Sequence, residues 1–393
     1  MERKVGIIMN GVTGRMGMYQ HLIRSILAIR NQGGVKLPGG DIAIPDPILV
    51  GRNEAKLRKI ASANGVERYT TDLDRALDSK TDTIYFDAQA TKMRFPSVRE
   101  AIVRGKHVYC EKPVTETLAD TMELVRLAKS HGVKNGVVMD KLFLPGILKL
   151  KRLLDSGFFG RVLVVHGEHG YYVFEGDWQP GQRPSWNSRK EDGGGIILDM
   201  FPHWQYLFEQ TFGRIESVSC TAATHIPERV DENGERFECT AEDAAYAMFR
   251  LEGGLIVRMT TSWCMRVYCD ELLEIQVDGT HGSAIAGLRG CKTQHRVNTP
   301  KPIWNPDVPN PLNFFEGWQT VPDNQEFDNA FKVQWEMFLR HVLADEPYAY
   351  DLLEGAKGVQ LAQLATQSWQ ERRWIDIPPI ETYIGDHADH SFA

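Results

Sequence analysis

A short apolar segment followed by three regularly spaced glycines constrains the fold of this chain more than any other feature. Residues 5–10 (VGIIMN) form the apolar run, and Gly11, Gly14 and Gly17 follow it. Glycine lets the backbone approach a pyrophosphate closely, and bare N–H groups at a helix N-terminus bind its charge. The segment therefore predicts a dinucleotide-binding turn between a strand and a helix, although an ordinary strand–turn–helix with convenient glycines has the same pattern.

The order of strand and helix patterns predicts the fold class. Short apolar runs alternate with helical patterns over the first third of the chain, at 48–52, 68–71, 82–87, 107–110 and 136–139. This alternation is typical of βαβ units and a parallel sheet. From about residue 161 the strand patterns are longer and tight glycine turns join neighbours, which indicates a mostly antiparallel sheet.

We therefore expect an α/β chain with three parts. Residues 1–145 would form a Rossmann cofactor-binding domain. Residues 146–345 would form an α+β domain with a large, mostly antiparallel open-faced sheet, for substrate binding and oligomerisation. Residues 346–393 would hold a helix that packs back on the N-terminal domain, followed by a tail. The Gly/Pro-rich residues 31–47 are predicted to form an extended loop.

Composition narrows the class of protein. A chain of 393 residues suits two domains, and its net charge of −7 includes no basic block that would favour nucleic acid. No run of eighteen apolar residues is present, and six cysteines are too sparse for a disulfide scaffold. We expect a cytoplasmic protein without a nucleic-acid or membrane partner. All nine tryptophans follow residue 177, so the two halves are expected to do different jobs.

The end of the second strand bears on which nicotinamide cofactor binds. An acidic residue there binds the ribose 2′-OH of NAD, whereas an arginine accommodates the 2′-phosphate of NADP. Here the strand ends Gly51-Arg52-Asn53 without a carboxylate, which leans toward NADP, although an arginine stacked on adenine would suit NAD equally. The expected cofactor is NAD or NADP, and its candidate contacts are Gly11, Thr13, Gly14, Arg15, Met16, Arg52, Asn53, Ala88, Glu111 and Lys112.

Two further segments carry charged residues at positions where ligands bind. Residues 105–114 (GKHVYCEKPV) place Glu111 and Lys112 directly after an apolar strand, at the carboxyl end of the predicted sheet. Residues 193–203 (GGGIILDMFPH) place Asp199 and His203 after three glycines. With a closing helix–helix–RWIDIP pattern, these segments resemble the Gfo/Idh/MocA oxidoreductases, named for glucose–fructose oxidoreductase and inositol dehydrogenase.

The resemblance implies roles for these residues. Lys112 matches the family lysine that contacts both nicotinamide and the substrate hydroxyl, and Asp199 and His203 match the acid/base pair. Glu111 matches the cofactor-side turn. The chain departs from the family pattern at Phe201, where a glycine is usual, and at Asp87-Ala88-Gln89, where the family has Pro and His.

The residue types fit that chemistry. Hydride loss from a carbinol carbon requires loss of the hydroxyl proton, and a histidine with an unperturbed pKa of about 6.5 is a natural base. Asp199 and His203 lie four residues apart and would share one face of a helix, where the carboxylate could orient the imidazole. An isolated pair of this kind would more often be an ordinary helix pair. Lys112 would add a positive charge where alkoxide develops.

A segment rich in polar aromatic residues, 166–190, is a candidate sugar pocket. Indole and phenol faces suit the C–H faces of sugar rings, although Trp, Tyr and Arg are also enriched in oligomer contacts. The candidate substrate contacts are Lys112, Lys141, Tyr171, Trp178, Arg183, Trp186, Asp199 and His203, and no metal site is expected.

The sequence thus predicts an NAD(P)-dependent oxidoreductase that moves hydride between nicotinamide and a secondary hydroxyl or ketone. The substrate would be a sugar, sugar acid, cyclitol or glycoside. Two alternatives stay open: a redox-assisted glycosidase that oxidises a hydroxyl transiently and eliminates the aglycone, and a cofactor-binding sensor without catalysis. The partner expected besides substrate is a second copy of the chain, in a homodimer or homotetramer formed through the C-terminal sheet.

Overall fold

The computed structural model describes residues 1–170, 184–303, 305–309 and 311–384. Within them, the N-terminal part forms a seven-stranded sheet. Its strands are β1 (Glu2–Asn10), β2 (Val35–Lys36), β3 (Ile42–Val50), β4 (Arg68–Thr70), β5 (Asp82–Asp87), β6 (His107–Cys110) and β7 (Asn135–Val137). The parallel strands lie in the order β4-β3-β1-β5-β6-β7, and β2 adds to β3 antiparallel.

This strand order is that of the doubly wound dinucleotide-binding fold. The chain leaves β1 toward one edge of the sheet and, after β4, returns to the other side of β1 through β5. The reversal opens a crevice between the carboxyl ends of β1 and β5, where ligands of such sheets bind. The predicted Rossmann fold is confirmed.

The prediction of a loop over residues 31–47 is wrong in part, because β2 and most of β3 lie there. Side chains of β3 alternate between partly exposed and buried, and Pro45 and Pro47 occupy buried positions. Proline is tolerated because β2 pairs only with Ile42 and Ala43, and β4 pairs only from Ile48 onward. Between Ala43 and Ile48, β3 pairs only with β1 among the described strands, so its other edge is open there. A proline has no N–H to donate, and on an open edge this costs no hydrogen bond of the ladder.

The second sheet has nine strands in the described residues. Seven are β8 (Val162–Gly170), β9 (Ile215–Ala223), β12 (Ala244–Leu251), β13 (Ile256–Ser262), β14 (Leu273–Gly279), β15 (Gly282–Ala286) and β16 (Cys291–His295), and β17 (Gln319–Thr320) and β18 (Ile375–Asp376) add short edges. The order is β17-β16-β15-β14-β8-β13-β12-β9-β18. Only β8 and β13 pair in parallel among these strands, so the mostly antiparallel sheet is confirmed. A separate hairpin joins β10 (Glu228–Val230) to β11 (Arg236–Glu238).

Helices cover the first sheet and fill the space between the two sheets. They are α1 (Met16–Leu27, continuing through Ala28–Asn31), α2 (Glu54–Ala63), α3 (Leu73–Leu77), α4 (Thr91–Val103), α5 (Leu118–His131), α6 (Pro145–Asp155), α7 (Ile196–Phe212), α8 (Ala330–Ala344) and α9 (Leu352–Glu371). Helix α8 packs on α1, and α9 packs on α5, α7 and β9. Helix α9 therefore connects the layers of the two sheets.

Among the helices that the structure describes, none has the length and apolar character needed to span a bilayer.

Candidate active site

A cleft of about 450 Å³ opens at the point where the strand order reverses. One end is lined by Gly14, Arg15 and Met16, and the other by residues of α7. The α7 residues are Asp199, Met200 and His203. The other lining residues lie on α1, α4 and α8, at the end of β8, and in loops and short 3-10 turns: Gln20, Ala88, Gln89, Ala90, Thr91, Arg94, Glu111, Lys112, Pro113, Asp140, Lys141, His169, Pro184, Trp186, Asn187 and Phe331. The glycine turn and the acid/base pair thus share one cavity.

The glycine turn has the geometry that a dinucleotide needs. Gly11 has φ +87°, and a Cβ placed on it would lie 2.5 Å from the carbonyl carbon of Ala88. A Cβ on Gly17 would lie 2.5 Å from the Gly11 oxygen, so the turn folds tightly onto the start of α1. Gly14 meets only the Gly11 oxygen, at 3.4 Å. Gly11 and Gly17 allow the turn to pack closely against Ala88 and the start of α1. Gly14, Arg15 and Met16 place the N-terminus of that helix at the cleft, and this position fits a pyrophosphate.

The end of β5 forms a buried polar floor below the cleft. The Tyr85 hydroxyl donates to Asp87 at 2.6 Å, Asn10 donates to Tyr85 at 2.9 Å, and the Gln89 amide donates to Asp87 at 2.9 Å. Burial raises the pKa of Asp87, although the nearby Arg94 guanidinium opposes the rise. This network occupies the position where the sequence departs from the family pattern.

Arg94 extends the floor to the loop that carries Lys112. Its Nε lies 3.3 Å from Asp87, and its Nη atoms donate to the carbonyl oxygens of Gln89 and Pro113. The Lys112–Pro113 peptide is cis. Arg94 is 3% exposed and ties the ends of β5 and β6 together. The sequence does not reveal this role, because an arginine inside a helical pattern is usually an exposed side chain.

Lys112 links the loop after β6 to helix α7. Its Nζ donates to the Asp199 carboxylate at 2.8 Å and to the Asp199 carbonyl at 2.7 Å. Both side chains are largely shielded from solvent, with exposed fractions of 13% and 18%. An ion pair this sheltered is screened less by salt than a surface pair.

Helix α7 is fixed at its N-terminus by a buried carboxylate. The Ile196 amide donates to the main-chain oxygen of Glu242 at 3.0 Å, and the Ile197 amide donates to its Oε1 at 3.0 Å. Gly195 permits this approach, because a Cβ at its φ of +118° would lie 2.6 Å from Oε1. Burial raises the pKa of Glu242. Gly195 therefore lets the start of α7 lie against Glu242.

His203 lines the cleft and is engaged on its Nδ1 side. Nδ1 lies 2.6 Å from the Tyr206 hydroxyl and 3.7 Å from Oδ1 of Asp140. Asp140 also lies 3.5 Å from Nζ of Lys141. The sequence did not indicate Tyr206 or Asp140. The two residues are 66 positions apart in the chain, and only the fold brings them together.

Glu111 borders the cleft and also has a buried partner. It is 7% exposed, and its Oε1 lies 2.7 Å from Nε2 of the fully buried His21. Burial alone would raise the pKa of Glu111, but the hydrogen bond with His21 and the charge of Lys112 hold that pKa below its ordinary value. Glu111 borders the cleft while its carboxylate holds α1 to the end of β6.

Several candidate residues lie outside the lining of this cleft. Gly11 packs beneath the turn, Arg52 and Thr13 are exposed, and the Asn53 side chain caps α2 by accepting from the Lys56 amide at 2.9 Å. Lys141 and Trp186 line the cleft. Tyr171, Trp178 and Arg183 lie outside the described residues. In the part of the chain that the structure describes, no group of three His, Cys, Asp or Glu side chains could hold a metal.

Comparison with known proteins identifies the family. Residues 47–139 match the model of the oxidoreductase family with an NAD-binding Rossmann fold, and residues 147–285 match that of the GFO/IDH/MocA C-terminal domain. D-xylose dehydrogenase of Paenarthrobacter nicotinovorans is 54% identical over 380 residues, which are 96% of this chain and 98% of that protein. The chain belongs to the Gfo/Idh/MocA oxidoreductase family. The resemblance expected from the sequence motifs is confirmed.

Levoglucosan and inositol dehydrogenases are also similar to this Gfo/Idh/MocA protein. Levoglucosan dehydrogenase of Pseudarthrobacter phenanthrenivorans is 24% identical over 171 residues, 43% of each chain. A levoglucosan dehydrogenase structure in complex with NADH and levoglucosan superposes with a TM-score of 0.78 at 18% identity, covering 96% of this chain and 100% of that one. A putative myo-inositol dehydrogenase from Sinorhizobium meliloti superposes with a TM-score of 0.67 at 19% identity, covering 95% and 100%. These likenesses show a shared fold.

The expectation of a nicotinamide-dependent oxidoreductase of a carbohydrate is confirmed by the family and by the relative at 54% identity. Neither the redox-neutral glycosidase nor the non-catalytic sensor is favoured by these findings.

Proposed function

We propose that this protein is an NAD(P)-dependent dehydrogenase of an aldose, with D-xylose as its first substrate. The observation that carries the proposal is the Lys112–Asp199 contact of 2.8 Å in the same cleft as His203 and the glycine turn. This cavity therefore contains a candidate base, His203, a cation, Lys112, and the nucleotide-binding glycine turn. Identity of 54% over nearly the whole length of a D-xylose dehydrogenase supports the choice of sugar.

The catalytic roles follow from charge and position. A nicotinamide cofactor bound in the cleft would supply the hydride acceptor. His203 would take the hydroxyl proton as the carbon–hydrogen bond breaks, so that the O–H bond is replaced by an N–H bond on the imidazole. Lys112 would stabilise the oxygen while it carries negative charge, and Asp199 would hold the lysine ammonium in place. In the reverse direction the same groups return the proton to the sugar.

The cofactor would lie along the cleft from the glycine turn to Lys112. Gly14, Arg15 and Met16 would hold the pyrophosphate, and Ala88, Glu111 and Lys112 border the path toward the nicotinamide end. Gly11 shapes the turn from below, and Thr13, Arg52 and Asn53 lie toward the adenosine end. An exposed arginine after β3, without a carboxylate beside it, favours NADP over NAD.

The sugar would bind at the other end of the cleft. Lys141 and Trp186 line it, as do His169 and Asn187, which belong to the same segment 166–190 that the sequence indicates as a sugar pocket. His169 stands at the end of β8, and Asn187 lies in the short 3-10 turn Ser185–Ser188. An indole face with amide and imidazole edges suits a sugar ring. Tyr171, Trp178 and Arg183 remain candidate contacts.

Steady-state oxidation of a sugar panel tests this proposal. D-xylose, L-arabinose, D-glucose, levoglucosan and myo-inositol would each be offered with NAD and with NADP, while the absorbance of reduced nicotinamide is followed. We expect the highest kcat/KM for D-xylose and a preference for NADP that Arg52→Ala reduces. No reduction of either cofactor by any aldose would overturn the proposal, and glycoside cleavage without net reduction would favour the glycosidase instead.

We also propose how the chain is divided and assembled. The family models match residues on either side of the expected boundary near 145, which supports a cofactor domain and a sheet domain. Tyr246, Met248 and Ile256 expose apolar side chains on neighbouring strands β12 and β13, which supports a homodimer or homotetramer formed through this face. Light scattering of the wild type and of Met248→Glu tests the assembly. We expect the reaction to take place in the cytoplasm.

A further inference from the structure

A small hairpin outside both large sheets lies against the turn that borders the sugar end of the cleft. It consists of β10 and β11, which pair only with each other among the described strands. An isolated two-stranded hairpin is at best marginally stable, so this one depends on contacts with the rest of the protein. Its outward contacts therefore indicate what the hairpin supports.

The base of the hairpin is fixed by a buried ion pair. The Arg229 guanidinium of β10 donates to Oδ2 of Asp243 at 3.0 Å, and the two side chains are 5% and 4% exposed. The main-chain amides of His225 and Ile226 donate to the same carboxylate at 2.8 and 3.0 Å. Because Asp243 directly precedes β12, the hairpin is anchored to an interior strand of the second sheet.

Two other side chains of the hairpin contact the two ends of the short 3-10 turn. The Glu232 carboxylate accepts from the Ser185 amide at 2.7 Å and from the Ser185 hydroxyl at 2.9 Å. Arg189, which ends the turn, places its guanidinium over the Phe237 ring, 4.3 Å from the ring centre. Arg189 also donates to the Ser185 hydroxyl oxygen at 3.1 Å. These contacts form a closed chain that begins and ends on the hairpin.

The residues between the two ends of the turn face the cleft. Trp186 and Asn187 line it at the end proposed for the sugar. On its other side the turn rests on the glycines before α7: the Gly195 amide donates to the Asn187 carbonyl at 2.9 Å, and a Cβ on Gly194 would lie 2.5 Å from the Trp186 oxygen. The turn is therefore held between the hairpin and the helix that carries the acid/base pair.

We propose that Glu232 and Phe237 are positioning residues for sugar binding, because they fix the turn that presents Trp186 and Asn187 to the substrate. The inference rests on the proposed function, in which the sugar binds at this end of the cleft. Side chains that become ordered only on binding reduce affinity, whereas side chains that are already in place do not. The hairpin orders the turn when the protein folds, before the sugar arrives.

The ionised form of Glu232 is the one that holds the turn. A carboxylate can accept from both the amide and the hydroxyl of Ser185. Partial loss of water would raise the pKa of Glu232, but the hydrogen bonds from Ser185 hold that pKa below its ordinary value. Hydrogen bonds to a charged acceptor are stronger than those between neutral groups, and the cation–π contact of Arg189 with Phe237 adds a second, independent hold.

Two variants and a matched control test the proposal on the full-length protein. Glu232→Ala removes both acceptors of one end of the turn, and Phe237→Ala removes the ring beneath Arg189. Glu228→Ala is the control, since it also removes a carboxylate from the hairpin, but one that pairs with Arg236 across β10 and β11 on the exposed surface.

Two readouts separate positioning from stability. Fluorine NMR of protein labelled with 5-fluorotryptophan, with one signal assigned by Trp186→Phe, reports the surroundings of that indole without substrate. Steady-state kinetics with D-xylose and saturating NADP give kcat and KM, and a thermal-shift titration gives NADP affinity. A variant that is merely unfolded in part would lose kcat and keep KM.

We expect the Trp186 signal to shift in Glu232→Ala and in Phe237→Ala, and KM for D-xylose to rise about threefold to tenfold in each. The kcat and the NADP affinity should match the wild type, because the hairpin acts on sugar binding alone. Glu232→Gln should restore most of the KM, since its side-chain amide can accept from the Ser185 amide and donate to the Ser185 hydroxyl. Glu228→Ala should match the wild type in every readout.

The fluorine signal needs no substrate, so failure of this inference can be distinguished from failure of the proposed function. In an enzyme that oxidises D-xylose, an unchanged Trp186 signal or an unchanged KM in Glu232→Ala and Phe237→Ala would overturn the inference. A shifted signal in a protein that oxidises no aldose would support the hold on the turn and overturn the proposed function. Either variant alone carries the test if the other does not fold.

Discussion

The indole N–H of Trp335 donates to Nδ1 of the buried His21 at 3.0 Å. An indole nitrogen can only donate, so Nδ1 carries the lone pair and the hydrogen of the neutral ring is on Nε2. That hydrogen points to Oε1 of Glu111 at 2.7 Å. Helices α8 and α1 and the end of β6 are thus joined by an ordered chain of hydrogen bonds directly behind Lys112.

Replacing Trp335 with phenylalanine should destabilise the fold. The change leaves the buried Nδ1 acceptor without its donor, which costs about 1–3 kcal/mol of unfolding free energy. Urea unfolding followed by far-ultraviolet circular dichroism measures the loss. Trp374→Phe is the matched control, because Trp374 is 42% exposed and its replacement should change stability little. Equal stability of the two variants would show that the indole hydrogen bond contributes nothing.

The contribution of Glu111 to stability should depend on pH in a defined direction. Its pKa in the folded protein is lower than in the unfolded chain, where a glutamate has a pKa of about 4.3. The carboxylate therefore stabilises the fold fully above the unfolded pKa, and the contribution is lost as pH falls through the folded pKa. We expect wild type to exceed Glu111→Gln in unfolding free energy at neutral pH, with a gap that closes on acidification.

Denaturant titrations at a series of pH values check that gap. Glu123→Gln serves as the control, since Glu123 is exposed and pairs with Arg99 on the surface. A gap for Glu111→Gln that stays constant into the acid range would contradict the role of the ionised carboxylate.

Lys112 and Asp199 should behave as one unit in catalysis. Removing the lysine charge with Lys112→Ala should lower kcat/KM by about a hundredfold to a thousandfold. Asp199→Ala leaves the lysine without its fixed partner and should also lower activity. Because Asp199 acts through Lys112, the double variant should lose less than the product of the single losses. Strictly multiplicative losses would mean that the two residues act independently.

Gly11 and Gly39 offer a test of why the turn contains glycine. Both have a positive φ, but a Cβ on Gly39 meets nothing within 4 Å, whereas one on Gly11 meets the Ala88 backbone at 2.5 Å. Gly39→Ala should cost about 1–2 kcal/mol of stability through backbone strain alone. Gly11→Ala should cost more and weaken cofactor binding, which a thermal-shift titration with NADP measures. Similar losses for both variants would rule out the packing explanation.

Much of the cofactor half of the fold could be predicted from the sequence, because its signals are local. The apolar run before Gly11, the strand before Glu111 and the helical spacing of Asp199 and His203 each lie within a few residues. The edge at Pro45 and Pro47 could not be predicted in this way. Proline argues against a strand unless its neighbours leave that edge open, and those neighbours lie elsewhere in the chain.

The supporting residues of the site were missed for the same reason. Asp140, Tyr206 and Arg94 stand in patterns that resemble a turn acid, a core aromatic and a surface cation. Their contacts with His203 and Pro113 arise only when distant elements pack together. Likewise, the sequence gives no sign that the Glu111 carboxylate lies against His21, which is 90 positions away in the chain.

The parallel pairing of β8 with β13 has a consequence for how the site is held. Parallel neighbours cannot be joined by a hairpin and require a crossover connection. The crossover from β8 to β13 includes α7, which carries Asp199 and His203, just as the crossover from β1 to β3 includes α1, which begins at the glycine turn. Both walls of the cleft are therefore parts of crossovers, each anchored at its two ends in the interior of a sheet.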